Sequence, residues 1–195
     1  AIRRQRQMCI RDRVVLQHEI PLETVHYVIE FCYEKGIKIV LNPAPAAAVP
    51  MEIIDKVTYV TPNEHEAVLI FGDELSTEDL LRKYPEKLVI TQGSRGVSTC
   101  LKDGQILNVP ARKAQVVDTT GAGDTLNGAF SVQIAEGKAI EDALAYANVA
   151  ASLSTEKFGA QTGMPTAEEV ETALKILNGE SVEKEIPVEM ELITK

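Results

Sequence analysis

The chain has 195 residues, 45% of them apolar and 25% charged, with a formal net charge of −9. That is ordinary for a globular domain, and the length suffices for one sizeable core without demanding two. The acidic balance excludes a surface built to coat nucleic acid; no apolar run can span a bilayer, and the first residues carry no secretory pattern. An anionic ligand stays open, because backbone N–H groups can hold one locally.

The three cysteines (Cys9, Cys32 and Cys100) are odd in number, widely spaced and without metal-ligand spacing, which points to a reducing cytoplasm. The three histidines (His18, His26 and His65) form no HxxxH or HExxH array, which argues against zinc hydrolysis.

Residues 1–12 carry four arginines without a helical or strand period and are expected to be a non-family tail or artefact. From Arg13 onward strands and helices alternate. Val14–Gln17 predicts a short strand. Val25, Val28, Ile29 and Cys32 recur at helical spacing over about Leu22–Lys35, with Gly36 as the stop. Ile37–Leu41 reads as a strand buried on both faces, Val57–Val60 as another, and Asn63–Phe71 as a helix. A capping box at Ser76–Asp79 opens the next helix, and Leu88–Thr91 is a further buried strand. Val97–Leu101 and Gln105–Val109 predict an antiparallel hairpin across Lys102, Asp103 and Gly104. A buried strand is expected at Val116–Val117. Helices follow at about Asp124–Glu136, Ile140–Thr155 and Ala167–Leu177, the last opened by a capping box from Thr166 to Glu169. The expected fold is α/β, a largely parallel sheet with helices on both faces and a short antiparallel hairpin. In such sheets ligands lie beyond the carboxyl ends of the strands.

The segment richest in chemistry is Asp118-Thr119-Thr120-Gly121-Ala122-Gly123-Asp124. Gly121 and Gly123 allow close backbone approach, and a helix start offers unpaired N–H groups to an anion. An acidic residue there would repel phosphate unless it had another task, such as taking the proton of a hydroxyl that attacks a phosphoryl group. Taken alone, the pattern also fits a tight turn with Asp124 as a plain N-cap. It is neither a Walker A loop nor a dinucleotide fingerprint, since no GxxxxGK[ST] occurs and no third glycine follows.

The full string Asp118 to Phe130, DTTGAGDTLNGAF, resembles the C-terminal signature of the ribokinase-like (PfkB) carbohydrate kinases. The resemblance implies a ribokinase-like fold, with Asp124 as catalytic base and Gly121, Ala122 and Gly123 as the anion hole. Asn63-Glu64-His65-Glu66 resembles the NxxE motif of that family, which implies Asn63 near the ATP phosphates and Glu66 organising Mg2+ through water. Locally the same pair also reads as a capping box. Thr91 to Gly96 resembles the nucleotide loop, implying contacts from Thr91, Gly93, Ser94 and Gly96, and Asn148 matches a position beside the adenine. Asp118 and Thr120, with Ser154, Lys157 and Gly159, correspond to a K+ site. Gly163 stands where family members can carry a serine, so a side-chain ligand is missing there.

Leu16 to Pro21 and Asn42 to Ala46 resemble the ribose-specific branch of the family, and Glu19 matches a sugar contact. The resemblance covers about Val14 to Leu177 and implies transfer of the ATP γ-phosphoryl group to the 5-hydroxyl of D-ribose. A related sugar or nucleoside kinase, or a catalytically silent nucleotide-binding module, remain the alternatives. Residues 13–178 are expected to form the nucleotide-binding part, with 179–195 an extension of no assigned role. The family's N-terminal Gly-Gly signature and β lid are not found in these residues, so the chain is expected to be a fragment, inactive alone. The lid is also the family's dimer surface: a homodimer is expected for the complete enzyme and not for this chain. Neither a nucleic acid nor a membrane is an expected partner.

Overall fold

The computed structural model describes residues 13–182. The basic stretch at residues 1–12 and residues 183–195 of the terminal extension lie outside that range. Strand β1 (Arg13–Gln17) leads through helix α1 (Leu22–Glu34) into β2 (Lys38–Asn42). Helix α2 (Met51–Lys56), strand β3 (Tyr59–Val60), and helices α3 (Glu64–Phe71) and α4 (Thr77–Lys83) follow. Strands β4 (Val89–Thr91), β5 (Val97–Cys100) and β6 (Ile106–Val109) complete the β structure. Helices α5 (Ala122–Ala135), α6 (Ile140–Ser154) and α7 (Ala167–Leu177) close the described chain.

The β1, β2 and β3 strands pair in parallel, with Val15 opposite Val40 and Leu41 opposite Val60. The β4, β5 and β6 strands form an antiparallel meander, joined to the first sheet by parallel bridges from Val60 to Leu88 and from Asn63 to Thr91. The β4 strand therefore belongs to an antiparallel sheet of three strands, larger than the expected hairpin.

Side chains alternate across a strand, so β2 feeds two cores. Ile39 and Leu41 pack with Val25 and Ile29 of α1 and with Ile53 and Ile54 of α2, while the α3 and α4 helices add Ala67, Leu80 and Leu81. Val40 points the other way, into a core with Leu126, Phe130 and Ile134 of α5 and Ala143, Leu144 and Ala147 of α6. Helices thus cover both faces. Fully buried Phe130 meets Tyr59 edge-on, with ring centroids 5.3 Å apart. The α7 helix docks on α6 through Val170 and Ala173 against Val149 and Ala150.

Two expectations are corrected and one element is added. Val116 and Val117 form no strand: they are 62% and 61% exposed, and the amides of Val117 and Asp118 both donate to the Thr155 carbonyl at 2.8 and 3.1 Å. The end of α6, not a ladder, holds them. The α5 helix starts at Ala122 rather than Asp124, because Gly121 takes the left-handed conformation (φ 78°, ψ 2°) that ends the preceding turn. The α2 helix was not foreseen. Its six residues follow a proline, no side chain caps it, and only Ile53 and Ile54 are buried, too little for a period to register. Among the described residues no helix is long and apolar enough to cross a membrane.

Candidate active site

The start of α5 sits over the carboxyl ends of β1 and β3. Gln17, the last residue of β1, donates its side-chain N–H to Asp124 Oδ1 at 2.6 Å. Thr61, just beyond β3, donates its hydroxyl to Asn127 Oδ1, and Asn127 Nδ2 donates to the Gly123 carbonyl at 2.9 Å. Asp124 does not cap its helix. It is the third residue of the first turn, exposed, with its carboxylate turned to Gln17. The Ala122 amide is used within the turn, donating to the Thr119 carbonyl at 3.2 Å. The Gly123 and Asp124 amides find no acceptor among the described residues, so they are the donors the helix start leaves free. Gly121 is required twice over: its φ is positive, and a Cβ there would lie 2.9 Å from the Ala160 Cβ.

Asp118 staples two loops together. Its Oδ1 accepts from the Thr120 amide and its Oδ2 from the Gly159 amide, both at 2.9 Å. The Thr120 amide, then the Thr120 side chain and the Gly159 amide, hold its carboxyl below the usual carboxylate range. Beside it, the carbonyl oxygens of Ser154, Gly159 and Lys157 converge on Gly163, at 2.7, 2.8 and 3.5 Å from where a Cβ would stand. The Ser154 hydroxyl donates instead to the Ala151 carbonyl, and Lys157 Nζ pairs with Glu169.

The second group of residues gathers at the ends of β3 and β4. Asn63 bridges to Thr91, whose amide donates to the Pro62 carbonyl at 2.9 Å. Asn63 and Glu66 form a reciprocal capping box: Glu66 N donates to Asn63 Oδ1 at 2.9 Å, and Asn63 N donates to Glu66 Oε2 at 2.8 Å. The local capping reading is therefore realised, and it consumes one of the two Glu66 oxygens. Gly93, Ser94 and Arg95 form an exposed 3-10 turn, and Arg95 reaches both carboxylate oxygens of Glu64, tying the turn to α3. Gly96 is buried with φ 95°, and a Cβ there would lie 1.9 Å from the Val109 carbonyl oxygen.

Asn148 and Glu19 differ in exposure. Asn148 is buried, its Nδ2 donating to the carbonyls of Pro110 at 2.8 Å and Val109 at 3.2 Å. Glu19 is exposed on the bend after β1, two residues beyond Gln17. Between them, His18 is buried, its amide donating to Ala44 O at 2.8 Å and its Nδ1 lying 3.3 Å from the Pro45 carbonyl. The β1 end and the Asn42–Ala46 loop, with its cis Ala44–Pro45 bond, thereby lie together. Among the described residues no three His, Cys, Asp or Glu side chains converge as a metal cluster.

No sequence motif assigns a role to Gln17, Thr61 or Asn127. The available signal was positional: polar residues at strand ends, where an apolar run would otherwise continue, and an Asn four residues after Gly123.

The profile of the pfkB family carbohydrate kinases matches residues 4–167. A ribokinase of Bacillus subtilis is 53% identical over 163 residues, which cover 84% of this chain and 55% of the relative. The ribokinase structure from Thermotoga maritima superposes with a TM-score of 0.74 at 36% identity, covering 84% of this chain and 57% of that one. The Arabidopsis thaliana ribokinase, solved with ribose and ATP, gives a TM-score of 0.76 at 30% identity, covering 84% and 56%. The chain therefore spans about half the length of the relatives it matches. On the profile match and these likenesses, the chain belongs to the PfkB family of carbohydrate kinases.

Proposed function

We propose that this chain supplies the nucleotide-binding and proton-accepting half of a kinase that moves the γ-phosphoryl group of ATP to the 5-hydroxyl of D-ribose. The observation that carries the proposal is the start of α5, where an exposed carboxylate, Asp124, stands in the same turn as the free Gly123 and Asp124 amides. Phosphoryl transfer asks for positioning and charge stabilisation more than for covalent chemistry by the protein. The sugar hydroxyl oxygen bonds to the γ-phosphorus as the bond from that phosphorus to the β–γ bridging oxygen breaks. Asp124 takes the hydroxyl proton. The helix-start amides, in the loop of Gly121, Ala122 and Gly123, meet the charge on the phosphoryl oxygens.

The choice of ribose rests on the relatives named ribokinase and on the segments from Leu16 to Pro21 and Asn42 to Ala46, with Glu19 as a sugar contact. The nucleotide is assigned to the groove edge formed by Asn63, Thr91, Gly93 and Ser94, with Gly96 letting the loop close on β6. Asn148 serves the adenine side by fixing the Val109–Pro110 backbone. Mg2+, which would neutralise phosphate charge, suits a site reached through water from Glu66, because a single carboxylate with one committed oxygen leaves most of its shell to water and phosphate. K+ suits the carbonyls of Ser154, Lys157 and Gly159, backed by the Asp118 and Thr120 loop. A cytoplasmic enzyme fits the buried free thiols of Cys32 and Cys100. The complete enzyme is proposed to be a homodimer.

Calorimetric titration of this chain with ATP and Mg2+ tests the nucleotide half of the proposal. Saturable binding that weakens on Gly121→Ala is expected. No binding, either in this chain or in a chain extended with the N-terminal part of a ribokinase, contradicts it.

A further inference from the structure

We propose that Gln17 is a positioning residue for Asp124, fixing the carboxylate of the proton acceptor from the end of β1; this rests on the reading of Asp124 as the base. The contact spans 107 residues of sequence and is 2.6 Å long. It joins the first strand of the parallel sheet to the first turn of α5.

The chemistry of the pair fixes its direction. An ionised carboxylate only accepts, so the Gln17 amide must present its N–H2 to Asp124, and no flipped arrangement is equivalent. Asp124 needs such a partner because it is exposed and does not cap its own helix: Gly121, not Asp124, occupies the cap. A free aspartate would sample its staggered rotamers. One hydrogen bond from a rigid strand selects a single rotamer and leaves Oδ2 for the substrate proton.

The partner is also neutral. A Lys or Arg at position 17 would hold the carboxylate as firmly, but it would stabilise the charged form and weaken it as a base. A glutamine orients without adding charge. It also places the base relative to the segment Gln17-His18-Glu19, so that proton acceptor and sugar contact are set by the same strand end.

The test has two arms. In the first, side-chain 15NH2 resonances of Gln17 are followed in this chain; Asp124→Ala should shift them, because it removes their acceptor. In the second, ribose-dependent ATP turnover is measured in the extended chain. Gln17→Met should lower kcat by about 10- to 100-fold with the KM for ATP unchanged, as expected for a misplaced base. Gln17→Glu, the same shape with an acceptor turned on an acceptor, should lower kcat further, whereas a merely structural role would tolerate it. The combination of Gln17→Met with Asp124→Ala should be no slower than Asp124→Ala alone. Gln17 resonances indifferent to Asp124→Ala, or a wild-type kcat in Gln17→Met, overturn the proposal. Near-normal turnover of Asp124→Ala overturns the base assignment instead, and the resonance arm then still reports on the contact itself.

Discussion

The hydroxyl of Thr61 donates to the side-chain carbonyl of Asn127, tying the end of β3 to the first turns of α5. Both residues are buried, and the other end of the Asn127 amide holds the Gly123 carbonyl at 2.9 Å. The Asn127 side chain thus helps anchor the loop assigned to phosphate to the sheet. Asn127→Ala removes the closer of the two acceptors of the buried Thr61 hydroxyl. It should destabilise the fold by about 1–3 kcal/mol, the cost of stranding a buried polar group. Urea unfolding checks this; an unchanged midpoint would show that Leu41 O, 3.3 Å from the Thr61 hydroxyl, suffices as acceptor.

Gly93 and Gly96 bracket the same turn, and both have positive φ, yet their substitution should differ sharply. A Cβ at Gly93 meets nothing within 4 Å, so Gly93→Ala carries only the left-handed backbone penalty, about 1–2 kcal/mol. A Cβ at Gly96 lands 1.9 Å from the Val109 carbonyl oxygen and 2.7 Å from the Ala111 amide nitrogen. Both obstacles are backbone, so β6 must move away from β5. Gly96→Ala should therefore lose clearly more stability than Gly93→Ala in parallel thermal melts; equal losses would contradict the close approach.

His18 makes stability depend on pH. Burial, its largest influence, pushes the imidazole below its ordinary value of 6.5; the Pro45 carbonyl opposes this and neighbouring His26 adds to it. With the folded value depressed, the unfolded chain binds the proton more tightly. Well above pH 6.5 both states are neutral and nothing is lost. As pH falls through that value, the unfolded state is favoured, down to the lowered folded value. Wild type should thus lose more stability between pH 7.5 and 5 than His18→Gln. Equal losses would place the pH dependence elsewhere.

Elements with local signals were legible in the sequence. Ala167–Leu177 was placed to the residue, because Thr166 and Glu169 cap it reciprocally and Val170 and Ala173 mark its buried side. The DTTGAGD loop was found because glycines and acid residues concentrate chemistry in a short string. What stayed hidden depends on partners distant in sequence. Val116 and Val117 have strand-like side chains, but their fate was decided by the Thr155 carbonyl. The Asp124 contact with Gln17 and the Asn127 contact with Thr61 join residues 107 and 66 positions apart, which no local pattern reports. The Asn63 and Glu66 pair shows the converse: a local motif can be realised fully as a cap and still stand beside Thr91, the residue proposed to share a nucleotide site with it.

ATP consumption with and without D-ribose, in Mg2+ and K+, using the chain extended by a ribokinase N-terminal part, decides whether Asp124 serves as the base of a ribose kinase. Turnover should depend on ribose and fall about 10²- to 10⁴-fold in Asp124→Asn, the usual worth of a general base. Ribose-independent turnover, or an Asp124→Asn enzyme as fast as the parent, would contradict that assignment.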